Sequence, residues 1–233
     1  MIEYRIAGLI LKLELASGVF QPTTTTQLLA EHMGNVKGKT VLDLGCGSGP
    51  IAITAALNGA RKVYAVDLMA EACQATLRNA KLNGAAGVVE VRQGDLFEPL
   101  KGLRFDVMVD DVSGMAESVS RISAWYPEPI PTGGPDGTLP TVRMLRDSPL
   151  YLNDNGYLLF PVISLARTEN ILATAREVFG AKLQQLASRM IPFNSELLSN
   201  LELLERLMQD GIIHFTQQRS RYLWNLEIYR ADV

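Results

Sequence analysis

The chain has 233 residues, enough for one domain or for one domain with added segments. Hydrophobic residues make up 47% and charged residues 20%, a balance typical of a globular protein with a core. The formal net charge of −3 shows no basic excess, so nucleic acid and anionic membranes are disfavoured as partners. The sequence has no stretch typical of a membrane span or a signal peptide. The two cysteines predict reduced thiols in a cytoplasmic protein.

The first half of the chain predicts a hairpin and a helix, followed by alternating strands and helices. Residues 9–22 alternate around a Ser17-Gly18 turn, which predicts the hairpin. The threonine run at 23–26 can cap the helix that follows it. The next predicted elements are strand 39–45, helix 49–59, strand 62–67, helix 69–84, strand 88–95 and strand 105–110.

In the second half, a Pro/Gly-rich loop at 115–137 precedes further alternation. These elements are helix 139–152, strand 156–163, helix 167–180, strand 181–193, amphipathic helix 195–211 and strand 220–231. The alternation predicts an α/β, Rossmann-like fold with a seven-stranded, mostly parallel sheet and helices on both faces. A helical insertion over 193–218 precedes the last strand, which can therefore insert antiparallel.

This organisation predicts a single domain over residues 1–233. We expect a hairpin and helix cover at 1–36, a cofactor-binding core at 37–192, and the insertion with the closing strand at 193–233. Leucines on one face of residues 195–210 indicate core or lid packing, or alternatively a partner-binding helix.

The first core strand ends in the glycine-rich segment DLGCGSGP at residues 43–50. Its glycines let the backbone pass close to a ligand, and the next helix directs its amino end there. A dinucleotide loop would need a third glycine where Pro50 stands, which disfavours a nicotinamide oxidoreductase. The spacing Asp-x-Gly-x-Gly-x-Gly instead resembles the cofactor loop of class I S-adenosylmethionine-dependent methyltransferases.

Acidic residues end the next two strands. Asp67 lies 18 positions after Gly49, where a carboxylate can accept hydrogen bonds from both ribose hydroxyls. The resemblance implies that Asp95 accepts from the adenine amino group and that Leu96 lines the base. It implies S-adenosylmethionine as the cofactor, held by Thr26, Asp43, Gly45, Cys46, Gly47, Gly49, Asp67, Leu68, Asp95, Leu96 and Asp110. Histidine and cysteine spacing predicts no metal site.

Residues 15–165 more closely resemble the release-factor glutamine methyltransferases. Pro22 and Thr26 match that family's Pro-x-x-x-Thr-Glu-x-Leu segment, and residues 127–137 match its Glu-Pro…Gly-Gly-x-Asp-Gly run. The fourth strand departs from the family pattern. Where the family has Asn-Pro-Pro-Tyr, this sequence has Asp-Val-Ser-Gly at 111–114.

In that family, the Asn side chain and the next carbonyl accept hydrogen bonds from a planar amide and align its nitrogen with the methyl group. Asp111 can accept the same bonds and can also act as a base. Three interpretations stay open. Asp111, with Asp110 beside it, serves catalysis on a nitrogen or oxygen acceptor; or the site binds cofactor as a non-catalytic interaction module; or the pair is a surface strand end at which only Asp110 touches the cofactor.

The acceptor would lie over the ends of the fourth and fifth strands. Its walls would be residues 115–137, 20–27 and 193–218, where Trp125 and Tyr126 either replace the missing aromatic surface or anchor the loop. Family enzymes that hold a large protein carry an additional N-terminal helical domain, and this sequence starts at the fold. We therefore expect a small-molecule acceptor or a differently presented protein acceptor. The sequence indicates no oligomeric state.

Overall fold

The computed structural model describes residues 1–123, 126 and 130–233. The strands are β1 Ile2–Ile6, β2 Leu9–Leu13, β3 Thr40–Leu44, β4 Lys62–Asp67, β5 Val89–Gln93, β6 Phe105–Asp110, β7 Leu152–Ile163, β8 Leu183–Pro192, β9 Thr216–Gln218 and β10 Arg221–Asp232. The helices are α1 Thr24–His32, α2 Pro50–Leu57, α3 Ala70–Leu82, α4 Glu117–Ile122, α5 Leu139–Asp147, α6 Thr168–Phe179, α7 Ser195–Leu198 and α8 Leu201–Gln209.

A mixed sheet forms the centre of the molecule, with strand order β5-β4-β3-β6-β7-β10-β8. Strands β3 to β7 pair in parallel, whereas β10 runs antiparallel between β7 and β8. The short strand β9 pairs with the start of β10 and brings the sheet to eight strands. The predicted Rossmann-like fold, including the antiparallel last strand, is confirmed.

The position of β3 determines where a ligand can bind. The chain moves outward from β3 through β4 to β5 and then returns to the other side of β3 as β6. This reversal is a topological switch point, and a crevice opens there at the carboxyl ends of the strands. The glycine loop after β3 and the Asp-Val-Ser-Gly segment after β6 therefore lie side by side.

The central strands β3 and β6 are buried on both faces, and neighbouring residues of each strand point in opposite directions into different cores. Val41 of β3 packs into one core together with residues of α1, α2, α8 and the N-terminal hairpin. Leu42 packs into the other core with residues of α5 and α6. The two cores hold β3 and β6 rigidly, so the loops at their ends have fixed starting points.

The N-terminal hairpin lies earlier than the sequence predicted. Strands β1 and β2 pair around Ala7 and Gly8, which have φ angles of 46° and 81°. Two consecutive positive φ angles suit a two-residue hairpin turn. The turn at Ser17-Gly18 is present, with the Val19 amide donating to the Ala16 carbonyl at 3.3 Å, but the hairpin predicted around it was wrong, because only residues 9–13 of that segment form a strand. Alanine is uncommon in a two-residue hairpin turn, so the sequence carried only a weak signal for the turn at Ala7-Gly8.

Three further predictions need correction. The predicted loop at 115–137 contains the helix α4. The helix predicted at 139–152 ends at Asp147 and is followed by a 3₁₀ turn and by β7, which starts earlier than predicted. The helix predicted at 195–211 is two helices, because the chain breaks at Asn200, whose side chain donates to the Glu196 carbonyl.

Helices α7 and α8 bury part of their apolar side chains, whereas Leu198 is exposed. Leu197, Leu204 and Leu207 are part of the core that also contains α1 and α2. This packing favours the core role predicted for the leucine-rich face. None of the helices in the described ranges combines the length and apolar composition that crossing a bilayer requires.

Candidate active site

The loop between β3 and α2 is a tight turn built from glycines. Gly45, Gly47 and Gly49 have φ angles of 74°, 53° and 90°, a region that strains other residues. A Cβ atom added to Gly45 would lie 2.8 Å from the carbonyl oxygen of Asp111. The loop therefore rests directly on the backbone that follows β6, and this contact requires glycine at position 45.

Asp67 at the end of β4 fixes the shape of this loop. Its Oδ2 accepts from the Gly47 amide at 2.9 Å, and its Oδ1 accepts from the Met69 amide at 2.9 Å. Burial raises the pKa of Asp67, and the backbone amides that donate to it act in the opposite direction. A carboxylate has about four acceptor positions, and Asp67 lines the cavity, so it keeps capacity to accept from a ligand.

The loop after β5 adds a strained leucine and an ion pair. Leu96 has a φ angle of 50°, which is uncommon for a leucine and is found at sites that a surrounding structure holds in place. The preceding residue, Asp95, accepts from Arg143 at 2.9 Å through Oδ2. Leu68, which is 48% exposed, lines the same cavity as Asp95 and Leu96.

Asp111 is held by a residue of α1 that is 85 positions away in the sequence. The hydroxyl of Thr26 donates to Asp111 Oδ2 at 2.7 Å. Thr26 is itself buried and fixed in a reciprocal capping arrangement with Thr23. Burial raises the pKa of Asp111 to about 6, and the Thr26 hydrogen bond acts in the opposite direction. The Pro-x-x-x-Thr segment and the altered strand end are therefore in direct contact.

Asp110 occupies a different environment from Asp111. Its carboxyl group is fully buried and does not contribute to the cavity wall. Oδ1 accepts from the Val112 amide at 3.3 Å, and Oδ2 has no hydrogen-bond partner among the described residues. Burial raises the pKa of Asp110 to about 8, the Val112 amide opposes that rise and the nearby Asp111 adds to it.

Asp43 of β3 resembles Asp110 in its burial. Oδ2 accepts from the Ala52 amide of α2 at 3.0 Å, and Oδ1 has no partner within the described part of the chain. Burial, followed by the charge of Asp111, raises the pKa of Asp43 well above its usual value. Asp43 and Asp110 lie beneath the loops, whereas Asp67 and Asp111 line the cavity.

Asp110→Asn is expected to stabilise the fold at alkaline pH. Folding raises the pKa of this carboxyl, so between about pH 4 and about pH 8 the native state keeps a proton that the unfolded state loses. The free energy of unfolding therefore falls as the pH rises through this range. A shift of this size corresponds to at most about 6 kcal/mol, and relaxation around the ionised group reduces that to about 2–4 kcal/mol. Urea unfolding should show this gain at pH 8 and little change at pH 4.

The exposed residue Asp154 supplies the control for that experiment. Asp154→Asn should change the free energy of unfolding by less than about 0.5 kcal/mol at either pH. Loss of stability in Asp110→Asn at pH 8 would show that the ionised carboxylate has a stabilising partner after all.

A single cavity of about 890 Å³ connects the cofactor loops to Asp111 and continues beyond it. Pockets of about 300–1,000 Å³ enclose drug-sized ligands, so this volume accommodates a cofactor together with an acceptor. The lining includes most of the predicted cofactor residues, namely Thr26, Gly45, Cys46, Gly47, Asp67, Leu68, Asp95 and Leu96. Asp43, Gly49 and Asp110 are not part of the lining.

An aromatic pair forms one wall of the cavity beyond Asp111. The rings of Phe20 and Tyr126 meet edge to face with centroids 4.9 Å apart, and the Tyr126 hydroxyl donates to the Pro131 carbonyl at 2.8 Å. Tyr126 thus lies where the sequence predicted an aromatic replacement. Trp125, predicted to share that role, lies outside the described residues, as does the Glu-Pro pair at 128–129.

The Gly-Gly-x-Asp-Gly run supports the chain just after the altered strand end. A Cβ atom on Gly137 would lie 2.6 Å from the Ala116 nitrogen and 2.5 Å from the Ala166 side chain. A Cβ atom on Gly133 would lie 2.7 Å from the Met115 carbonyl oxygen. These glycines allow the backbone to pack against residues 115–116 and so fix the course of the segment that begins at Asp111.

Several cavity residues were missed in the sequence. Tyr4 and Arg5 come from β1, and Pro161, Ile163 and Ile191 come from the ends of β7 and β8. The apolar residues among them follow the same alternation as core residues, so no local signal separated a cavity wall from a packed interior.

Comparison with known proteins identifies related enzymes by sequence. The family model "Ribosomal protein L11 methyltransferase (PrmA)" matches residues 16–123. The "Putative protein N5-glutamine methyltransferase" of Methanocaldococcus jannaschii is 30% identical over 190 residues, covering 82% of this chain and 94% of that protein. The ribosomal protein L11 methyltransferase of Pelotomaculum thermopropionicum is 41% identical over 102 residues, but the match spans 31% of that protein.

Solved structures support the fold. The ribosomal protein L11 methylase of Lactobacillus delbrueckii subsp. bulgaricus superposes with a TM-score of 0.56 at 22% identity, over 90% of this chain and 80% of that chain. A 16S rRNA methyltransferase of T. thermophilus, solved with AdoMet and guanosine, gives a TM-score of 0.64 at 18% identity, over 99% of this chain and 49% of that chain.

The glycine cradle fits S-adenosylmethionine, the cofactor of these enzymes. A ligand can approach the loop closely because Gly45 and Gly47 carry no Cβ, and Asp67 keeps acceptor positions beside Gly47. The chain is an enzyme that uses S-adenosylmethionine for methyl transfer. It belongs to the class I S-adenosylmethionine-dependent methyltransferases, in the family of the Methanocaldococcus jannaschii protein, which it matches over nearly that protein's entire length.

Proposed function

We propose that the enzyme methylates a nitrogen or oxygen atom that carries a hydrogen, and that Asp111 accepts this hydrogen. The observation that carries the proposal is the Thr26–Asp111 hydrogen bond of 2.7 Å at the wall of the cavity. It holds the carboxylate beside the glycine loop, where an acceptor must be positioned. Since Oδ2 is engaged by Thr26, Oδ1 remains for the acceptor.

In this proposal, one set of residues binds the cofactor and Asp111 positions the methyl acceptor. The glycine loop, Asp67, Asp95 and Leu96 bind the cofactor, and bound S-adenosylmethionine supplies the electrophilic methyl group. Asp111 Oδ1 accepts a hydrogen bond from the N–H or O–H group of the methyl acceptor. This hydrogen bond directs the lone pair of that nitrogen or oxygen at the methyl carbon. The new N–C or O–C bond would form as the carbon–sulfur bond to the methyl group breaks, and the acceptor's proton would pass to Asp111 and then to solvent.

The protonation state of Asp111 suits that role. A pKa of about 6 leaves the carboxylate largely ionised near neutral pH, and it makes Asp111 a stronger base than an ordinary aspartate. Asp110 has a pKa of about 8 and lies outside the cavity wall, so we assign it to support of the Val112 turn and not to proton transfer.

A second candidate is the side-chain amide of a protein glutamine. The name of the Methanocaldococcus jannaschii relative favours it, because that protein matches 82% of this chain. Asp111 could accept hydrogen bonds from a planar amide as the asparagine of the resembled family does. However, Gly114 offers no aromatic face to pack against the amide, so the amide would need another partner such as Tyr126.

Transfer of a tritiated methyl group to defined acceptors tests the proposal. The panel contains a glutamine peptide, a lysine peptide, small aromatic amines and phenols, and mass spectrometry locates the added methyl group. We expect an amine or hydroxyl acceptor to be labelled in preference to the glutamine amide. Labelling of the amide alone supports the second candidate, and methylation confined to a carbon or sulfur atom contradicts the role of Asp111.

A further inference from the structure

Part of the cavity lining, next to Asp111, is mostly apolar. We call it the acceptor chamber and define it by Arg5, Phe20, Tyr126, Ile163, Ile191 and Trp224, all of which line the cavity. None of these residues belongs to the glycine loop or to the ends of β4 and β5. The chamber therefore lies on the acceptor side of Asp111.

The floor of the chamber is an apolar patch of the sheet. Trp224 of β10 pairs with Ile191 of β8, and Leu226, two residues further along β10, pairs with Ile163 of β7. Paired residues in antiparallel strands present their side chains on the same face, so Ile163, Ile191 and Trp224 form one surface. The Phe20–Tyr126 pair forms a second apolar wall.

One cationic side chain at the chamber has no ion-pair partner among the described residues. Arg5 of β1 is exposed, and its side chain makes no hydrogen bond or ion pair within the described ranges. The three carboxylates that line the cavity contact other groups, and none is paired with Arg5: Asp67 accepts from loop amides, Asp95 pairs with Arg143 and Asp111 accepts from Thr26. Arg5 is therefore the charged group of the chamber that is available to a ligand.

We propose that the methyl acceptor is a small molecule with an apolar, ring-bearing body and a carboxylate group. Its body occupies the acceptor chamber, its carboxylate pairs with Arg5, and its nitrogen or oxygen nucleophile faces Asp111. This inference rests on the proposed function. A glutamine side chain, with two methylene groups and no charge, itself offers no ring to the apolar floor and no carboxylate to Arg5.

Binding of three simple probes tests the inference without requiring methyl transfer. The probes are 3-phenylpropionate, 3-phenylpropionamide and acetate, titrated calorimetrically into protein saturated with S-adenosylhomocysteine. We expect acetate to bind about a hundredfold more weakly than 3-phenylpropionate, because it lacks the ring that the chamber buries. The amide should bind about twofold to fivefold more weakly, since Arg5 is exposed.

Matched substitutions assign the binding to the chamber. Ile191→Ser should weaken 3-phenylpropionate binding about tenfold, whereas Met190→Ser should not, because Met190 points to the opposite face. Arg5→Gln should abolish the preference for carboxylate over amide, and Arg78→Gln, at an exposed arginine on α3 outside the cavity, should keep it.

Equal binding of all three probes, or responses that do not depend on Ile191 and Arg5, would overturn the inference. Such a result would leave the role of Asp111 intact, because these titrations involve no transfer. Conversely, normal probe binding together with methylation confined to carbon or sulfur would contradict the proposed function and not the chamber.

Discussion

Asp111→Asn is expected to lower kcat/KM for an amine or hydroxyl acceptor by about 10²–10⁴-fold, the range typical of a lost general base. Asparagine has nearly the same shape and keeps an oxygen that can accept from the Thr26 hydroxyl, which holds Asp111 at 2.7 Å. It cannot take up the acceptor's proton. The loss would therefore reflect proton transfer and not geometry, and binding of S-adenosylmethionine should change little.

The same substitution separates the two candidate functions. If the acceptor is a glutamine amide, Asp111→Asn restores the side chain found in the resembled family and should retain or raise activity. Asp111→Ala should be inactive in either case, because alanine offers no hydrogen-bond acceptor. Transfer rates of both variants with both acceptor classes give four values. Wild-type activity of both the Asn and the Ala variant with every acceptor would contradict any role for the Asp111 side chain.

The pH profile gives an independent readout of the same residue. Because the base form is the ionised carboxylate, kcat/KM should rise with pH through about 6 and then level off. Thr26→Val removes the hydrogen bond that lowers this pKa, so the rise should move to higher pH. Thr26→Ser keeps the hydroxyl and should leave the midpoint near its original value. A profile that is flat between pH 5 and 8 would exclude Asp111 as the base.

Local patterns in the sequence were sufficient for the core of the fold. Strands β3, β4 and β6 are short, largely apolar runs with an aspartate at or next to the last residue, and α2 and α3 end before glycines that adopt positive φ angles. These signals lie within a few residues of one another, so they could be interpreted without tertiary information. They place the glycine loop and Asp67 at one edge of the sheet.

The remaining errors involve weak turns and long-range contacts. The turn at Ala7-Gly8 carries one ordinary residue with a positive φ angle, and the break at Asn200 interrupts a continuous leucine pattern. Both are settled by tertiary packing of the elements on either side. An amphipathic pattern shows that a face is apolar, but it does not show where the chain interrupts the helix.

The contacts of the candidate site were also difficult to predict from local sequence patterns. Thr26 and Asp111 lie 85 positions apart, and only a family resemblance connected them before the structure placed them at 2.7 Å. The floor residues Ile163 and Ile191 alternate as core residues do, and their role depends on whether another element covers them. Asp110 and Asp111 are adjacent in sequence, yet strand geometry sends one into the interior and the other to the cavity.

Gly45→Ala is expected to weaken S-adenosylmethionine binding by about a hundredfold and to lower kcat at saturating cofactor as well. The added methyl group would lie 2.8 Å from the Asp111 carbonyl oxygen and 3.0 Å from the Val112 Cα atom, so one of the two backbones must shift. A displacement of about 1 Å at a reacting centre can cost about a hundredfold in rate. Calorimetry and saturation kinetics measure the two effects separately.

Gly84→Ala is the matched control for that substitution. Gly84 has a φ angle of 70°, close to the 74° of Gly45, but a Cβ atom there meets nothing within 4 Å. Gly84→Ala should therefore lose about 1 kcal/mol of stability through backbone strain alone. Its cofactor affinity and kcat should be unchanged. If both variants lose affinity equally, strain and not contact explains the glycine. If Gly45→Ala alone loses kcat, the cofactor loop and the Asp111 carbonyl act as one unit, and the glycine that admits the cofactor also sets the position of the acceptor.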